Sequence, residues 1–183
     1  IGHALQGALE ARGAKVKGLS RRDTGLDLSD EASIEGQLSA LSGPFDAILV
    51  ASGALEINGA RPEKALYQLT QSAFLDPFIV NAAGPALILK HAPRLLPKDR
   101  PSQFAALSAR VGSIGDNKVG GWYSYRAAKA ALNQIIHTGA IELARTHKQA
   151  VCVALHPGTV QTPFTAKYLG RHASVPAAQA ALN

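Results

Sequence analysis

A tyrosine and a lysine four residues apart, Tyr125 and Lys129, form the sharpest chemical pair in the sequence. On a helix, positions i and i+4 lie about 40° apart, so both side chains share one face. A free tyrosine has a pKa of about 10 and is a poor proton donor or acceptor at neutral pH. A nearby ammonium would stabilise the phenolate and lower that pKa. The pair therefore predicts proton transfer to or from a carbonyl or alcohol oxygen; the alternative is a core tyrosine beside a surface lysine.

Alternating helix and strand patterns must position this pair. The sequence predicts helices over residues 3–12, 31–41, 71–96 and 123–147, and strands over residues 14–20, 46–52, 103–108 and 150–156. The runs at 46–52 and 150–156 are continuously apolar, which indicates strands buried on both faces. The apolar face of the last helix is expected to carry Ala128, Leu132, Ile135, Gly139 and Leu143. This alternation predicts an α/β fold, a doubly wound parallel sheet in a three-layer α/β/α arrangement.

Ligands of such sheets bind beyond the carboxyl ends of the strands. Residues 20–22, 51–53, 108–113 and 157–162 each follow a predicted strand, so they are expected to meet at that edge. The sequence therefore predicts the ligand site among these four segments.

Length and composition exclude several classes of protein. The chain has 183 residues, 46% of them hydrophobic, which is enough for one domain over 1–183 with a sizeable core. The single cysteine, Cys152, excludes a disulfide scaffold, and its position in a predicted buried strand indicates an inert thiol. We find no run of about 18 apolar residues that would span a membrane. With neither a disulfide scaffold nor a membrane span, a cytoplasmic protein is expected. The six histidines lack metal-ligand spacing, so no metal site is expected.

The basic charge balance does not point to nucleic acid. Nineteen Lys and Arg residues against 13 acidic ones give a net charge of +6, but the basic residues form no single patch. Aromatic residues make up only 5% of the chain, too few to predict a stacking surface for bases. We therefore interpret the basic residues as a solvated surface.

Two runs, SARVGSIGDNKVGGWYSYRAAKAALNQ at 108–134 and ALHPGTVQT at 154–162, resemble the short-chain dehydrogenase/reductase family, and within it the C-factor/sniffer-like branch. The resemblance extends over essentially the whole chain. It implies a Rossmann-type fold, a nicotinamide cofactor, a small-molecule carbonyl or alcohol substrate, and a homodimer or homotetramer.

The resemblance also implies catalytic roles. Tyr125 matches the family's acid/base, Lys129 the residue that lowers the tyrosine pKa and holds the nicotinamide ribose, and Asn81 the asparagine of a proton relay. Members of the family use the carbonyl of that asparagine to hold a water. Pro85 has no N–H, so the carbonyl of Asn81 loses its helical partner and is free for this role. The alternative is a helix kink without function.

The catalytic serine departs from the family pattern. The usual Ser-Ser pair at the end of the strand reads Ser108-Ala109 here. Either Ser108 or Ser113, which lies four residues after Ala109, is a candidate for the missing hydroxyl. If neither reaches the substrate oxygen, Tyr125 would act without its usual helper.

The cofactor preference is read from Ser20, Arg21 and Arg22. Family members that bind NAD carry an acid at the position of Ser20, where it holds both hydroxyls of the adenine ribose. A small hydroxyl followed by arginines suits a 2′-phosphate instead, because guanidinium pairs with phosphate in bidentate geometry. NADP is therefore predicted over NAD, although Asp23 weakens the argument.

Further cofactor contacts follow from the same resemblance. Asp27 and Leu28 match an adenine-contacting pair, and Thr162 matches the residue that binds the nicotinamide carboxamide. Pro157 and Gly158 shape the loop that leads to Thr162. The complete set beyond residues 20–22, Tyr125 and Lys129 is Asp27, Leu28, Ala51, Ser52, Gly53, Pro157, Gly158, Val160 and Thr162. Ala51-Ser52-Gly53 replaces the usual Asn-Ala-Gly, so an asparagine that braces the sheet is missing.

The ends of the chain match internal positions of the family. Ile1 and Gly2 resemble the last residues of a glycine-rich phosphate loop, and we expect an internal fragment of a protein of about 230–250 residues that lacks its first strand and its C-terminal end. The predicted function is an NAD(P)-dependent oxidoreductase. The alternative is a catalytically weak or inactive dinucleotide-binding sensor, which Ala109 and the altered turn at 51–53 favour.

Overall fold

A computed structural model describes residues 1–169 and 173–182; His172 lies outside the described residues. The helices are α1 (Gly2–Glu10), α2 (Arg21–Thr24), α3 (Glu31–Ser39), α4 (Gln71–Phe78), α5 (Gly84–Lys90), α6 (Ala92–Leu95), α7 (Tyr123–Leu143) and α8 (Ala177–Ala180). The strands are β1 (Ala47–Val50), β2 (Ser102–Leu107), β3 (Ala150–Leu155), β4 (Val160–Gln161) and β5 (Val175–Pro176). Three short 3₁₀ helices cover Leu66–Gln68, Arg110–Gly112 and Ala166–Tyr168.

The main sheet is parallel and has the order β1-β2-β3. Val50 of β1 pairs with Ala106 of β2, and Ala106 pairs with Ala154 of β3. The carboxyl ends of the three strands therefore lie at one edge, where the segments after residues 50, 107 and 155 begin. The strands β4 and β5 form a separate two-stranded parallel sheet.

One apolar cluster joins the sheet to the helices on one face. Its buried members are Ile34, Leu38, Val50, Ile88, Ala92, Leu95, Leu96, Phe104, Ala106, Leu132, Ile136 and Leu143. They come from α3, α5, α6 and α7 and from the strands β1 and β2. The short helices α1 and α8 contact each other and add no residue to this cluster. The predicted fold is confirmed as a Rossmann-type parallel sheet flanked by helices in three layers. On α7 the buried isoleucine is Ile136, not the predicted Ile135.

The strand predicted at residues 14–20 is absent, and the burial predicted for the strands at 46–52 and 150–156 was too high. Residues 14–20 run without helix or strand structure, since a strand requires hydrogen bonds to a neighbour and the main sheet contains no partner for this segment. The strands β1 and β3 are not buried on both faces: Leu49 is 38% exposed and Val151 is 51% exposed. Both strands lie at the edges of the sheet, and the face away from the apolar cluster is only partly covered. Burial is most complete in the central strand, β2, where four of the six residues are buried.

The helical segment 71–90 contains a π-helical turn at Ile79–Ala83 between α4 and α5. Gly84 N–H donates to the Ile79 carbonyl, five residues back, and the next residue, Pro85, has no N–H to donate. Residues Gln71–Lys90 are long and apolar enough to cross a membrane by length and composition, a property that core helices of soluble proteins share. In the structure the segment packs against α7.

Candidate active site

Tyr125 and Lys129 lie in the first two turns of α7, and both are buried, with 7% and 3% of their surface exposed. Lys129 Nζ is 5.8 Å from the centroid of the Tyr125 ring. The same Nζ donates a hydrogen bond of 2.8 Å to the Leu107 carbonyl at the end of β2. This bond ties the helix that carries the tyrosine to the carboxyl end of the central strand.

Burial controls the protonation of this pair. It raises the pKa of Tyr125 to about 12 and lowers the pKa of Lys129 to about 8. The expectation that the ammonium lowers the pKa of Tyr125 is therefore wrong for this structure. Loss of solvation penalises both charged forms, and the ammonium is engaged by the Leu107 carbonyl. At neutral pH Tyr125 holds its proton and can donate it.

The Asn81 side chain clasps the loop that follows β1. Its Oδ1 accepts a 3.0 Å hydrogen bond from Ala54 N–H, and its Nδ2 donates to the Ala54 carbonyl at 2.8 Å. A third bond of 2.9 Å joins Nδ2 to the Pro77 carbonyl one turn earlier. Sequence reasoning considered only the carbonyl of Asn81 and missed this clasp. Because the clasp fixes the backbone just after residues 51–53, it braces the segment from which the family's asparagine is missing.

Gly53 lies between Asn81 and Lys129. A Cβ at this position would lie 3.1 Å from Asn81 Oδ1 and 3.7 Å from Lys129 Nζ. The two polar groups therefore approach each other across a glycine that leaves room for both. The structure brings Asn81, Lys129 and Tyr125 to one place, at the end of β1 and β2.

The two candidate serines are engaged elsewhere. Ser108 Oγ donates a 2.6 Å hydrogen bond to Asn133 Oδ1. Ser113 is exposed, and its hydroxyl accepts from Asp116 N–H at 3.3 Å. Within the described part of the chain, neither serine is bonded to Tyr125. Asn133 is a site residue that the sequence reasoning missed, although it follows Tyr125 and Lys129 at the same interval of four.

An open cavity of about 380 Å³ lies beside α2, lined by His3, Ser20, Arg21, Arg22 and Asp23. Ser20 caps α2: its Oγ accepts from Asp23 N–H at 3.0 Å and donates to Asp23 Oδ2 at 2.6 Å. Arg22 Nε lies 3.2 Å from Asp23 Oδ1. These bonds hold the pKa of Asp23 below its usual value. Arg21 is exposed and makes no hydrogen bond or ion pair with any described residue.

Asp27 and Leu28 are held by local contacts. The Asp27 carboxylate accepts from Ser29 N–H at 2.8 Å and from Ser29 Oγ at 2.6 Å, which keeps its pKa below its usual value. The Leu28 carbonyl would lie 2.7 Å from a Cβ placed on Gly84, so this backbone packs directly against the start of α5. The predicted adenine contacts thus sit on a fixed backbone.

The other predicted cofactor residues lie in loops at the same edge of the sheet. Ser52 is exposed, whereas Ala51 and Pro157 are half-buried and Gly158 adopts a φ of 75°. Val160 is buried in β4. Thr162 N–H donates to Thr165 Oγ1 at 3.1 Å, so this loop is folded into a tight local turn.

An aromatic cluster lies beside the tyrosine. The Tyr125 ring is 6.2 Å from both Trp122 and Phe164, and Trp122 is 5.2 Å from Tyr168, between ring centroids. A second cavity of about 280 Å³ is lined by Gly53, Ala54, Leu55, Glu56, Pro163, Phe164 and Lys167. Lys167 Nζ contacts Glu56 Oε2 at 2.6 Å, and Tyr168 donates to Glu56 Oε1 at 2.8 Å. This cavity shares Phe164 with the aromatic cluster, and Gly53, which also lines it, lies against Asn81 and Lys129.

Other titratable side chains form no second centre of this kind. Across residues 1–169 and 173–182, no three His, Cys, Asp or Glu side chains are grouped so that they could hold a metal ion. Cys152 is half-buried, and burial raises the pKa of its thiol to about 11. Burial lowers the pKa of His156, and the charge of Arg110 adds to that effect.

Comparison with known proteins shows to which family the chain belongs. A family model described as enoyl-(acyl carrier protein) reductase matches residues 2–182. A 1-hydroxy-2-glutathionyl-2-methyl-3-butene dehydrogenase of Rhodococcus sp. (strain AD45) is 29% identical over 163 residues, which are 87% of this chain and 67% of that protein. The C-signal protein of Myxococcus xanthus is 39% identical over 88 residues, 46% of this chain and 50% of that protein.

A solved structure of a short-chain dehydrogenase/reductase also matches this chain. A short-chain dehydrogenase/reductase from Burkholderia multivorans with bound NADP is 27% identical, with a TM-score of 0.76 over 89% of this chain and 76% of that one. The chain thus spans between half and about three quarters of the length of these proteins. The match over residues 2–182 agrees with the resemblance seen in the motifs, and the chain belongs to the short-chain dehydrogenase/reductase family.

Proposed function

We propose that the protein is an NADP-dependent oxidoreductase that reduces a carbonyl compound, or oxidises the corresponding secondary alcohol. The observation that carries this proposal is the buried, protonated Tyr125, with Lys129 one turn away and Asn81 across Gly53. The alternative is a core tyrosine beside a surface lysine. It does not account for a lysine that is 3% exposed and whose Nζ is bonded to a carbonyl at the end of a strand. Burying a charge is costly, and such costs are concentrated at functional sites.

In this proposal Tyr125 is the proton donor for reduction. A bound nicotinamide dinucleotide would supply the hydride that adds to the carbonyl carbon. The Tyr125 hydroxyl then gives its proton to the carbonyl oxygen, which completes the alcohol and leaves a phenolate. Lys129 can then return a proton to the phenolate, since its pKa of about 8 is below that of the phenol. Asn81 keeps the loop at Ala54 fixed beside them.

The α2 cavity fits the phosphorylated cofactor. Ser20 puts no carboxylate where the hydroxyls of an adenine ribose would be held, and Asp23 is already paired with Ser20 and Arg22. The guanidinium of Arg21 makes no bond to the described residues, so it is available to a 2′-phosphate. The bound NADP reported for the Burkholderia multivorans relative supports the same choice.

A second candidate function has one observation in its favour. Ser108 is bonded to Asn133, and Ala109 offers no hydroxyl, so Tyr125 has no serine partner in this structure. A dinucleotide-binding sensor with little or no turnover would need none. The retained Tyr125, Lys129 and Asn81 argue against that candidate, because binding alone has little need for all three.

The experiment that tests the proposal is a fluorescence titration of the full-length protein with NADPH, followed by a screen of the same sample against a panel of aldehydes and ketones. Saturable binding together with NADPH consumption supports the oxidoreductase. Binding without consumption across the panel favours the sensor. No binding at all contradicts both candidate functions.

We also propose that the protein acts in the cytoplasm, as a single domain that forms a homodimer or homotetramer. Support for assembly comes from apolar side chains on the outside of the segment 71–90: Leu75 is 43% exposed, and Phe74 and Ile79 are each 37% exposed. Light scattering coupled to gel filtration measures the assembly directly; a monomer at micromolar concentration would contradict it.

A further inference from the structure

The helix that carries Tyr125 begins without a cap of its own. Its N-cap residue, Trp122, has a left-handed φ of 55° and makes no side-chain hydrogen bond to the helix. The first N–H groups of any helix have no partner within that helix and need acceptors from elsewhere. A non-glycine residue in the left-handed region also needs its surroundings to hold it there.

Two acceptors at the start of this helix come from Glu63, about sixty residues earlier in the chain. Its backbone carbonyl accepts from Trp122 N–H at 2.5 Å. Its carboxylate Oε2 accepts from Ser124 N–H at 3.2 Å, inside the first turn of α7. The two bonds bracket Tyr123 and hold the residue immediately before Tyr125.

Burial of the Glu63 carboxylate lowers the stability of the folded protein. The residue is 3% exposed, and Oε1 is buried with no hydrogen-bond partner among the described residues. An unpaired buried polar atom destabilises the folded protein, and an apolar side chain of similar length would avoid that penalty. A glutamate at such a position requires a compensating role, and the hydrogen bond that its Oε2 accepts from Ser124 N–H provides one.

From this arrangement we infer that Glu63 is a positioning residue for Tyr125: it fixes the first turn of α7 by capping Ser124 N–H and so sets the position of the phenol hydroxyl. The inference rests on the proposed role of Tyr125 as proton donor. Misplacing a reacting group by about 1 Å can cost on the order of 100-fold in rate. Arg126 helps to hold the same turn, because its guanidinium donates to the Gly121 carbonyl at 2.8 Å.

The test compares two substitutions of nearly equal size. Glu63→Gln keeps an oxygen acceptor for Ser124 N–H, whereas Glu63→Met fills the same space without one. We expect Glu63→Gln to keep kcat within about threefold of the parent protein and Glu63→Met to lower it on the order of 10- to 100-fold, with the KM for NADPH unchanged. Should the methionine variant fail to fold, Glu63→Asp, whose shorter side chain cannot reach Ser124, replaces it.

A second readout is independent of turnover. In protein labelled with ¹³C at the tyrosine ring, the Tyr125 resonance, assigned by its loss in Tyr125→Phe, is expected to move in Glu63→Met and to stay in place in Glu63→Gln. Equal resonances in all three proteins would overturn the inference, and so would equal losses of kcat in both variants. If the parent protein shows no turnover that depends on Tyr125, the proposed function fails, while the resonance shift still tests the positioning role.

Discussion

The hydroxyl of Ser108 donates its hydrogen bond to Asn133, at 2.6 Å, and not to Tyr125. Asn133 lies one helical turn after Lys129, and its Nδ2 reaches the Gly112 carbonyl at 3.4 Å. The serine at the end of β2 is therefore used to join that strand to α7. In the proposed function, the proton-transfer chemistry therefore rests on Tyr125 and Lys129 without this serine.

Removal of the Ser108 hydroxyl should accordingly have a modest effect on rate. We expect Ser108→Ala to lower kcat by less than about tenfold, because the hydroxyl is occupied by one hydrogen bond that contributes about 1 kcal/mol. Ser113→Ala, which alters an exposed hydroxyl, is the matched control and should leave kcat unchanged. Steady-state kinetics checks both. A loss of several hundredfold in Ser108→Ala would show that this serine turns to the substrate during reaction.

The buried ammonium predicts an unusual dependence of stability on pH. The pKa of Lys129 is about 8 in the folded protein against 10.5 for the free group, so between these values the unfolded chain binds more protons than the folded one. The free energy of unfolding should therefore increase as the pH rises through this window, because the cost of burying the Lys129 ammonium is lost. Urea unfolding at a series of pH values measures it.

Lys129→Met should remove that contribution, whereas Lys118→Met, at an exposed lysine, should not. Identical pH profiles for the parent protein and Lys129→Met would contradict a buried, weakly basic lysine. Tyr125 acts in the opposite sense at higher pH, since its folded pKa of about 12 exceeds the ordinary value of 10.0 and stability is lost as the pH rises above the latter.

The two adjacent arginines should differ in their effect on cofactor choice. Arg21 is unpaired among the described residues, while Arg22 is bonded to Asp23. We expect Arg21→Gln to weaken NADPH binding about tenfold and leave NADH binding unchanged, as loss of one charge-assisted contact to phosphate predicts. Arg22→Gln, the matched control, should have a smaller effect. Equal weakening of both dinucleotides in Arg21→Gln would contradict a 2′-phosphate contact.

Gly53 should not tolerate even one added methyl group. A Cβ there would lie 3.1 Å from Asn81 Oδ1, and Asn81 is held by three hydrogen bonds. We expect Gly53→Ala to destabilise the fold by about 1–3 kcal/mol through overpacking. Gly36→Ala, in an open position of α3, should stabilise it by about 0.5–1 kcal/mol. Thermal unfolding compares the two, and a neutral Gly53→Ala would contradict the close approach.

The sequence predicted the parts of the site that depend on local spacing. The interval of four placed Tyr125 and Lys129 on one face, and Pro85 marked the irregular turn around Asn81. The parallel sheet, and the edge from which the segments after β1, β2 and β3 leave it, followed from the alternation of elements. These features are set by residues close in the chain, so a single sequence contains the signal.

Contacts between distant residues could not be predicted in this way. Glu63 gives no local sign that it caps a helix beginning at Tyr123, and the Asn81–Ala54 clasp links residues 27 positions apart. The pKa of Tyr125 was predicted in the wrong direction because spacing indicates proximity to a charge but not the loss of solvent around both groups. Burial of β1 and β3 was overestimated because apolar composition does not show which face is covered.

The central claim, that Tyr125 is the proton donor of an NADP-dependent oxidoreductase, is tested most directly by Tyr125→Phe. The substitution removes only the hydroxyl, and Tyr67→Phe is the matched control because Tyr67 is 87% exposed. We predict that Tyr125→Phe lowers kcat by a factor of about 10²–10⁴, the usual contribution of general acid–base catalysis, and leaves the Kd for NADPH unchanged. Turnover by Tyr125→Phe equal to that of Tyr67→Phe would contradict the account.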